Sequence, residues 1–246
     1  MRVLIGIQYK GTAYCGWQRQ KNGLSVQEVL MRAWRALTGE DVTFHGSGRT
    51  DAGVHALEQC AHFDTASPIP MDKIPLAFNT KLPPDVRVLW AKVVAPTFHA
   101  RFDVVRKTYV YRLYWGEVAD AFLYETHGHV VRRPDVAKMQ SAAQVLLGEH
   151  DFKAMQATGG HVKSTVRTIY AIDIVETGNV ITFTVTGDGF LYNMVRIMVG
   201  TLVYAGWDWL SPTQIEAAIA AKDRKGLGKT LDACGLYLAK VEYDNK

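Results

Sequence analysis

One stretch of the chain concentrates residues able to do chemistry. The run Gly46-Ser47-Gly48-Arg49-Thr50-Asp51-Ala52-Gly53 places a carboxylate and a guanidinium among three glycines and a serine. Such a backbone can turn sharply and approach another group closely. A phosphate cradle would need a Lys-Ser/Thr pair after the glycines and a helix opening there; neither is present, and a dinucleotide fingerprint fails for the same reason. An aspartate near an arginine can be held ionised by the positive charge and can then serve as a covalent nucleophile. On a loop between two strands it would be fixed by a rigid scaffold and still reach a substrate. The same residues also fit an ordinary surface turn in which Asp51 bonds its own backbone. A glycosidic hydrolase would need a second carboxylate, and the nearest in sequence are Glu58 and Asp64. Read alone, the run makes chemistry possible without identifying the reaction.

Other chemistries find little support. Cys15, Cys60 and Cys234 are odd in number and far apart, which argues against a disulfide framework and for a reducing compartment. No C-x-x-C or H-x-x-x-H pair occurs, so no metal site is expected. His45, His55 and His62 read as turn or core residues and receive no role.

The elements that must position the run alternate irregularly between strand and helix, which points to the α+β class. A first strand covers about Val3 to Tyr9. Ser25 and Glu28 have capping-box spacing ahead of Val26, Val29, Leu30, Ala33 and Leu37, with Gly39 as terminator, so a helix is expected there. Strands near Val42–His45 and Gln59–Asp64 flank the glycine-rich run. A short helix near Ile74–Asn79 and a strand from Val86 to Val94 follow. Lys107 to Trp115 is rich in aromatic and β-branched residues and reads as a strand. Beyond it come a helix from Pro134 to Leu147, strands near Ile169–Glu176 and Val180–Gly187, and a helix from Leu191 to Tyr204. Ser211-Pro212-Thr213-Gln214 opens another helix with cap, proline and capping-box residue in place, and Gly235–Tyr243 forms the last strand. The first half offers several strands and two helices, the second several strands and three helices. The division is placed near residue 103, giving an N-terminal domain 1–103 with the Asp51 loop and a C-terminal domain 104–246.

The chain has 246 residues, 48% of them hydrophobic, enough for one large core or two small ones. No window approaches the roughly 18 to 20 apolar residues of a membrane span. Met1 to Ile7 lacks the length and cleavage site of a secretory signal, so a cytoplasmic location is expected. The net charge of +4 suggests a polyanionic partner only weakly. Its distribution says more: residues 1–123 carry 15 Lys and Arg against 11 Asp and Glu, while the remainder is balanced at 13 each. An RNA-facing surface and an ordinary solvated face both fit that asymmetry.

The stretch Gly46–His55 resembles the catalytic motif of the TruA family of tRNA pseudouridine synthases. Eight further stretches resemble that family in the same order. They are Tyr9-Lys10-Gly11-Thr12, Gly16-Trp17-Gln18, Phe98-His99-Ala100-Arg101-Phe102, Lys107-Thr108-Tyr109-Val110-Tyr111, Asp151-Phe152, Ser164-Thr165-Val166-Arg167-Thr168, Phe190-Leu191-Tyr192-Asn193-Met194-Val195-Arg196 and Gly235-Leu236-Tyr237-Leu238. Together they span nearly the whole chain. Lys153-Ala154-Met155-Gln156 and Leu231-Asp232-Ala233-Cys234 depart from the family pattern; neither touches the catalytic loop.

The resemblance implies the pseudouridine synthase fold, two similar α+β halves around a joined, mainly antiparallel sheet. It implies an isomerase that converts uridine to pseudouridine at positions 38, 39 and 40 of the tRNA anticodon stem-loop, breaking C1′–N1 and making C1′–C5. No cofactor or metal is implied, and a homodimer is. Asp51 matches the catalytic aspartate and Tyr109 the tyrosine that stacks on the target uracil. Arg49 is the expected charge partner of Asp51, or a phosphate contact. Arg196 lies in an otherwise apolar helix, where an unpaired charge is costly, and is expected to point toward Asp51 or RNA. Arg101, Arg106, Lys107 and Lys163 are candidate phosphate contacts, or equally solvated surface. A non-catalytic tRNA-binding module on the same fold is the competing expectation.

Overall fold

The computed structural model describes residues 1–21, 23–160 and 162–244. It divides into two compact units, Met1–Val105 with the end of the chain from Tyr237, and Arg106–Leu236. In chain order the elements up to the boundary are β1 (Arg2–Tyr9), α1 (Val26–Thr38), β2 (His45–Gly46), β3 (His55–Asp64), α2 (Ile74–Asn79) and β4 (Val86–Val94). Strand β5 (Val104–Trp115) starts at the boundary. It is followed by β6 (Gly128–Val130), α3 (Val136–Ala143), β7 (Gly148–Asp151), β8 (Val166–Thr177), β9 (Val180–Gly187), α4 (Met194–Gly206) and α5 (Pro212–Ala220). Strand β10 (Leu236–Tyr243) closes the chain.

In the first unit the strand order is β4-β1-β3-β10, with β2 beside β3. β1 runs antiparallel to both neighbours. β10 joins β3 in parallel through Tyr237–His55 and Leu238–Ala56. A cut at residue 103 would leave this strand with the second half. The structure instead gathers it into the first unit, where Tyr237 stacks on His55 at 4.7 Å. Tyr243 meets Phe98 edge-on and donates its hydroxyl to the Ala100 carbonyl at 2.8 Å. These partners are more than 140 residues away for Tyr243, too far for any local pattern to announce.

Helix α1 forms where the spacing places it. The Ser25 hydroxyl accepts from the Glu28 backbone N–H at 3.2 Å, and Gly39 ends the helix with φ of 78°. The reciprocal half of the expected capping box is replaced by an ion pair, with the Glu28 carboxylate 2.7 Å from Arg32. The buried face presents Trp34, whose ring lies 5.0 Å from both Phe63 and Phe78. Phe44 packs 4.6 Å from Phe63. Losing a buried aromatic of this size costs roughly 3 to 5 kcal/mol, so the cluster fixes α1 and α2 against the sheet. The strand expected at Val42–His45 forms only as His45–Gly46, paired with His62 and Ala61, and Phe44 just before it is fully buried.

In the second unit the order is β5-β9-β8-β7, antiparallel throughout, with β6 parallel to β5. Strand alternation buries Tyr109, Tyr111 and Leu113 of β5 beside Val185, Phe183 and Ile181 of β9. α4 is buried along most of its length and packs on α3. It opens at Met194 because Asn193 takes a left-handed φ of 60° and interrupts the helical run expected from Leu191. The box at Ser211 and Gln214 forms in both directions. The α+β class and mainly antiparallel pairing are as expected. Among the described residues no helix is long and apolar enough to cross a membrane, and no group of three His, Cys, Asp or Glu is placed to hold a metal ion.

Candidate active site

The loop from Ser47 to Val54 joins β2 to β3 and carries Asp51 half-buried between the exposed Ala52 and the buried Thr50. A set of buried polar side chains grips its leading arm. Tyr9 and Thr50 share a hydroxyl–hydroxyl bond of 2.8 Å. The Ser47 hydroxyl donates to Gln59 Oε1 at 2.5 Å, and Gln59 Nε2 donates to the Gly48 carbonyl at 3.0 Å. The same Oε1 accepts from the Cys60 backbone N–H. Buried polar groups are tolerated only when bonded, and all of these are. Burial pushes the Tyr9 phenol up to about 12, against the opposing pull of its bonds to Thr50 and Gln59. It therefore stays protonated and neutral near pH 7.

The segment from Gly11 to Trp17 grips the loop from the other side. Trp17 N–H donates to the Thr50 carbonyl at 3.1 Å, and Gly53 N–H donates to the Tyr14 carbonyl at 3.4 Å. Gly16 has φ of 99°, and a Cβ there would collide with the Thr50 carbonyl oxygen and crowd the Asp51 backbone. Gly11 is pressed against the Val54 carbonyl, and its N–H donates to His55 Nδ1 at 2.8 Å. That nitrogen is thus an acceptor and carries no proton. Within the loop, Val54 N–H returns to the Asp51 carbonyl at 3.1 Å. The backbone on both sides of Asp51 is held, and the residue itself is half-buried. Such a group can meet an electrophilic carbon at a fixed position, the geometry nucleophilic catalysis requires.

Among the expected site residues, Arg49 and Asp51 lie on the same loop. Arg49 is exposed and turned to solvent. That position is open to contact with a polyanion. Tyr109 is 9% exposed on the buried face of β5, and its ring meets Phe190 edge-on at 5.0 Å. Arg196 is half-exposed on α4. Its Nε donates to the Leu231 carbonyl at 2.6 Å and its Nη1 to Asn193 Oδ1 at 2.7 Å. Its charge therefore ties the first turn of α4 to the strand-free segment before β10, which answers how an arginine is accommodated in an apolar helix. Arg101 and Arg106 are exposed, Lys107 is half-exposed, and Lys163 is exposed. Arg106 lies over the Tyr170 ring at 4.7 Å.

Sequence reasoning passed over Tyr9, Ser47, Thr50 and Gln59 as a set. Gln59 is the legible clue: a wholly buried amide in a strand of otherwise apolar or aromatic buried positions has to be bonded to something.

Comparison with known proteins supplies what geometry does not. A family model described as tRNA pseudouridine synthase matches residues 5–103 and 142–244. A protein called tRNA pseudouridine synthase A in Ruminiclostridium cellulolyticum is 47% identical, covering 98% of this chain and 99% of that protein. One of the same name in Herminiimonas arsenicoxydans is 44% identical over 100% of this chain and 90% of its own. Another, in Brevibacillus brevis, is 44% identical over 98% and 99%.

Proposed function

The chain belongs to the tRNA pseudouridine synthase family, isomerases that act on tRNA uridine, and on that premise we propose that it acts at positions 38, 39 and 40 of the anticodon stem-loop with Asp51 as nucleophile. The observation that carries this reading is the Asp51 loop itself: a half-buried carboxylate in the Gly48–His55 motif, its backbone gripped from both sides.

The target base must first leave the stack, at a cost of a few kcal/mol. The Asp51 carboxylate then engages C1′ of the exposed nucleotide as the C1′–N1 bond breaks. The freed uracil turns so that C5 faces the sugar. C5 bonds to C1′ and displaces the carboxylate, the C5 proton passes to solvent, and N1 takes up a proton. Atoms balance without any external oxidant or reductant. Tyr109 serves as the platform on which the uracil stacks while it turns. Aromatic stacking is worth about 1 to 3 kcal/mol per base and fixes position without fixing identity. Arg49 and Arg196 support the site as contacts to the RNA backbone or to Asp51. The working form is a homodimer, with tRNA as partner, in the cytoplasm.

The reading is tested with unmodified tRNA carrying tritium at uracil C5. The expected outcome is release of tritium to water from tRNAs with uridine at positions 38 to 40, and none from tRNAs lacking uridine there. Release from sites elsewhere in the tRNA would overturn the positional assignment. Tight tRNA binding with no release from any tRNA would favour a binding module instead.

A further inference from the structure

A second feature of the first unit lies on the far end of the segment that clamps Asp51. Arg19, Gln20, Lys21, Leu24, Glu28 and Arg32 line an open cavity of about 670 Å³. We propose that this cavity is a subsite for backbone phosphates of the tRNA, through Arg19, Lys21 and Arg32; the proposal rests on the functional reading above and extends its substrate contacts.

The balance of charge is the first reason. Three cations face one carboxylate, and that carboxylate, Glu28, is engaged by Arg32 at 2.7 Å. Arg19 and Lys21 are exposed and enter no ion pair among the described residues. Leu24 is the single large apolar side chain in the lining, so the cavity does not suit a small apolar ligand, which seeks mostly hydrophobic walls. A guanidinium fork beside an ammonium suits phosphate oxygens.

The second reason is that the cationic residues stand on a built hairpin. Gln20 and Gly23 pair across the turn. Gln20 Nε2 donates to the Cys15 carbonyl at 2.7 Å. At its base the Arg19 N–H donates to Gln27 Oε1 at 2.8 Å, and Gln27 Nε2 reaches the Phe44 carbonyl at 2.8 Å. The hairpin is thereby pinned to α1 and to the aromatic core.

Its location is the third reason. Trp17, bonded through its N–H to the residue before Asp51, is only two residues from Arg19. An extended chain advances about 3.3 to 3.6 Å per residue, so Arg19 is anchored within roughly 7 Å of the clamp. A strand whose base is presented to Asp51 has phosphates on either side of it, and such contacts set register without reading sequence.

The test is tRNA binding by fluorescence anisotropy across about 50 to 200 mM salt, where each neutralised phosphate adds roughly 0.7 to 0.9 to the slope of log affinity against log salt. Arg19→Gln with Lys21→Gln should weaken binding about 10-fold and lower that slope by about 1.5, while tritium release at saturating tRNA stays near wild type. Arg19→Lys with Lys21→Arg should restore both affinity and slope. Arg133→Gln, which breaks an exposed ion pair with Glu176 elsewhere, should change neither. Unchanged affinity and slope in the double Gln variant would overturn the proposal, as would a fall in the saturated rate with affinity intact. Failure of the wild-type protein to release tritium would instead overturn the catalytic reading, and the binding slopes would still decide this one.

Discussion

Asp51→Asn exchanges one oxygen for an amide of nearly equal size, so it removes the proposed nucleophile with little change of bulk. Bonds made by the backbone around Asp51 and by Tyr9, Ser47 and Gln59 hold the loop, and the substitution keeps them. Tritium release from C5-labelled tRNA should therefore fall by more than about 10³-fold, the scale on which loss of a nucleophile acts. tRNA affinity should stay within about 3-fold. A variant that released tritium at the wild-type rate would move the chemistry to another residue. At this scale the sequence was legible in part. Glycine content and a carboxylate near an arginine marked the loop, and the ordered motifs pointed to the family. The Tyr9–Thr50 bond joins residues 41 apart, and no spacing rule reaches that far.

Most helices and strands were legible from capping residues and hydrophobic period, because those signals are local. α2, β4 and β9 fall at the expected residues, each bounded by turn formers. What escaped was the pairing of elements: β10 on β3, the short β6 and β7, and above all the clamp of residues 11–17 on the Asp51 loop. That clamp has a measurable signature. Gly16 and Gly39 both have positive φ, 99° and 78°, but a Cβ at Gly39 would meet open space while one at Gly16 would strike the Thr50 carbonyl. Gly39→Ala should cost only the left-handed backbone, about 1 to 2 kcal/mol. Gly16→Ala adds a backbone collision that no side-chain rotation relieves. It should lose clearly more stability in urea unfolding, and its tritium release should fall further than that of Gly39→Ala under conditions where both are folded. Equal losses in the two variants would mean that the segment merely passes the loop without positioning it.

For the molecule as a whole, the pH dependence of stability turns on histidines as much as on carboxylates. His62 is buried, its Nδ1 accepts the Ala100 backbone N–H at 3.1 Å, and its ring lies 4.9 Å from His45 and 4.7 Å from His99. Burial first, then the facing His45, His99 and Arg2, lower its pKa to about 4, with Asp64 opposing. His99 and His127 are lowered as well, each chiefly by burial. Between the ordinary histidine value near 6.5 and about 4, the unfolded chain binds a proton at His62 that the folded chain refuses. Unfolding is therefore favoured progressively as pH falls through that window, and the stability is fully present above it. At about 1.4 kcal/mol per unit of difference, His62 alone contributes up to about 3 kcal/mol. The carboxylates Asp64, Glu40, Asp151 and Glu176 are held low chiefly by their hydrogen-bonded partners. Their contribution is lost only at lower pH, as it falls from the ordinary carboxylate range near 4 through their depressed values. His62→Asn keeps an acceptor near the Nδ1 position and removes the titrating ring. Urea unfolding measured from about pH 7 to pH 4.5 should show the wild-type protein losing stability across the range and the variant a distinctly flatter profile, whatever its stability at pH 7. If the two profiles ran parallel, the histidine cluster would not be the source of the acid sensitivity.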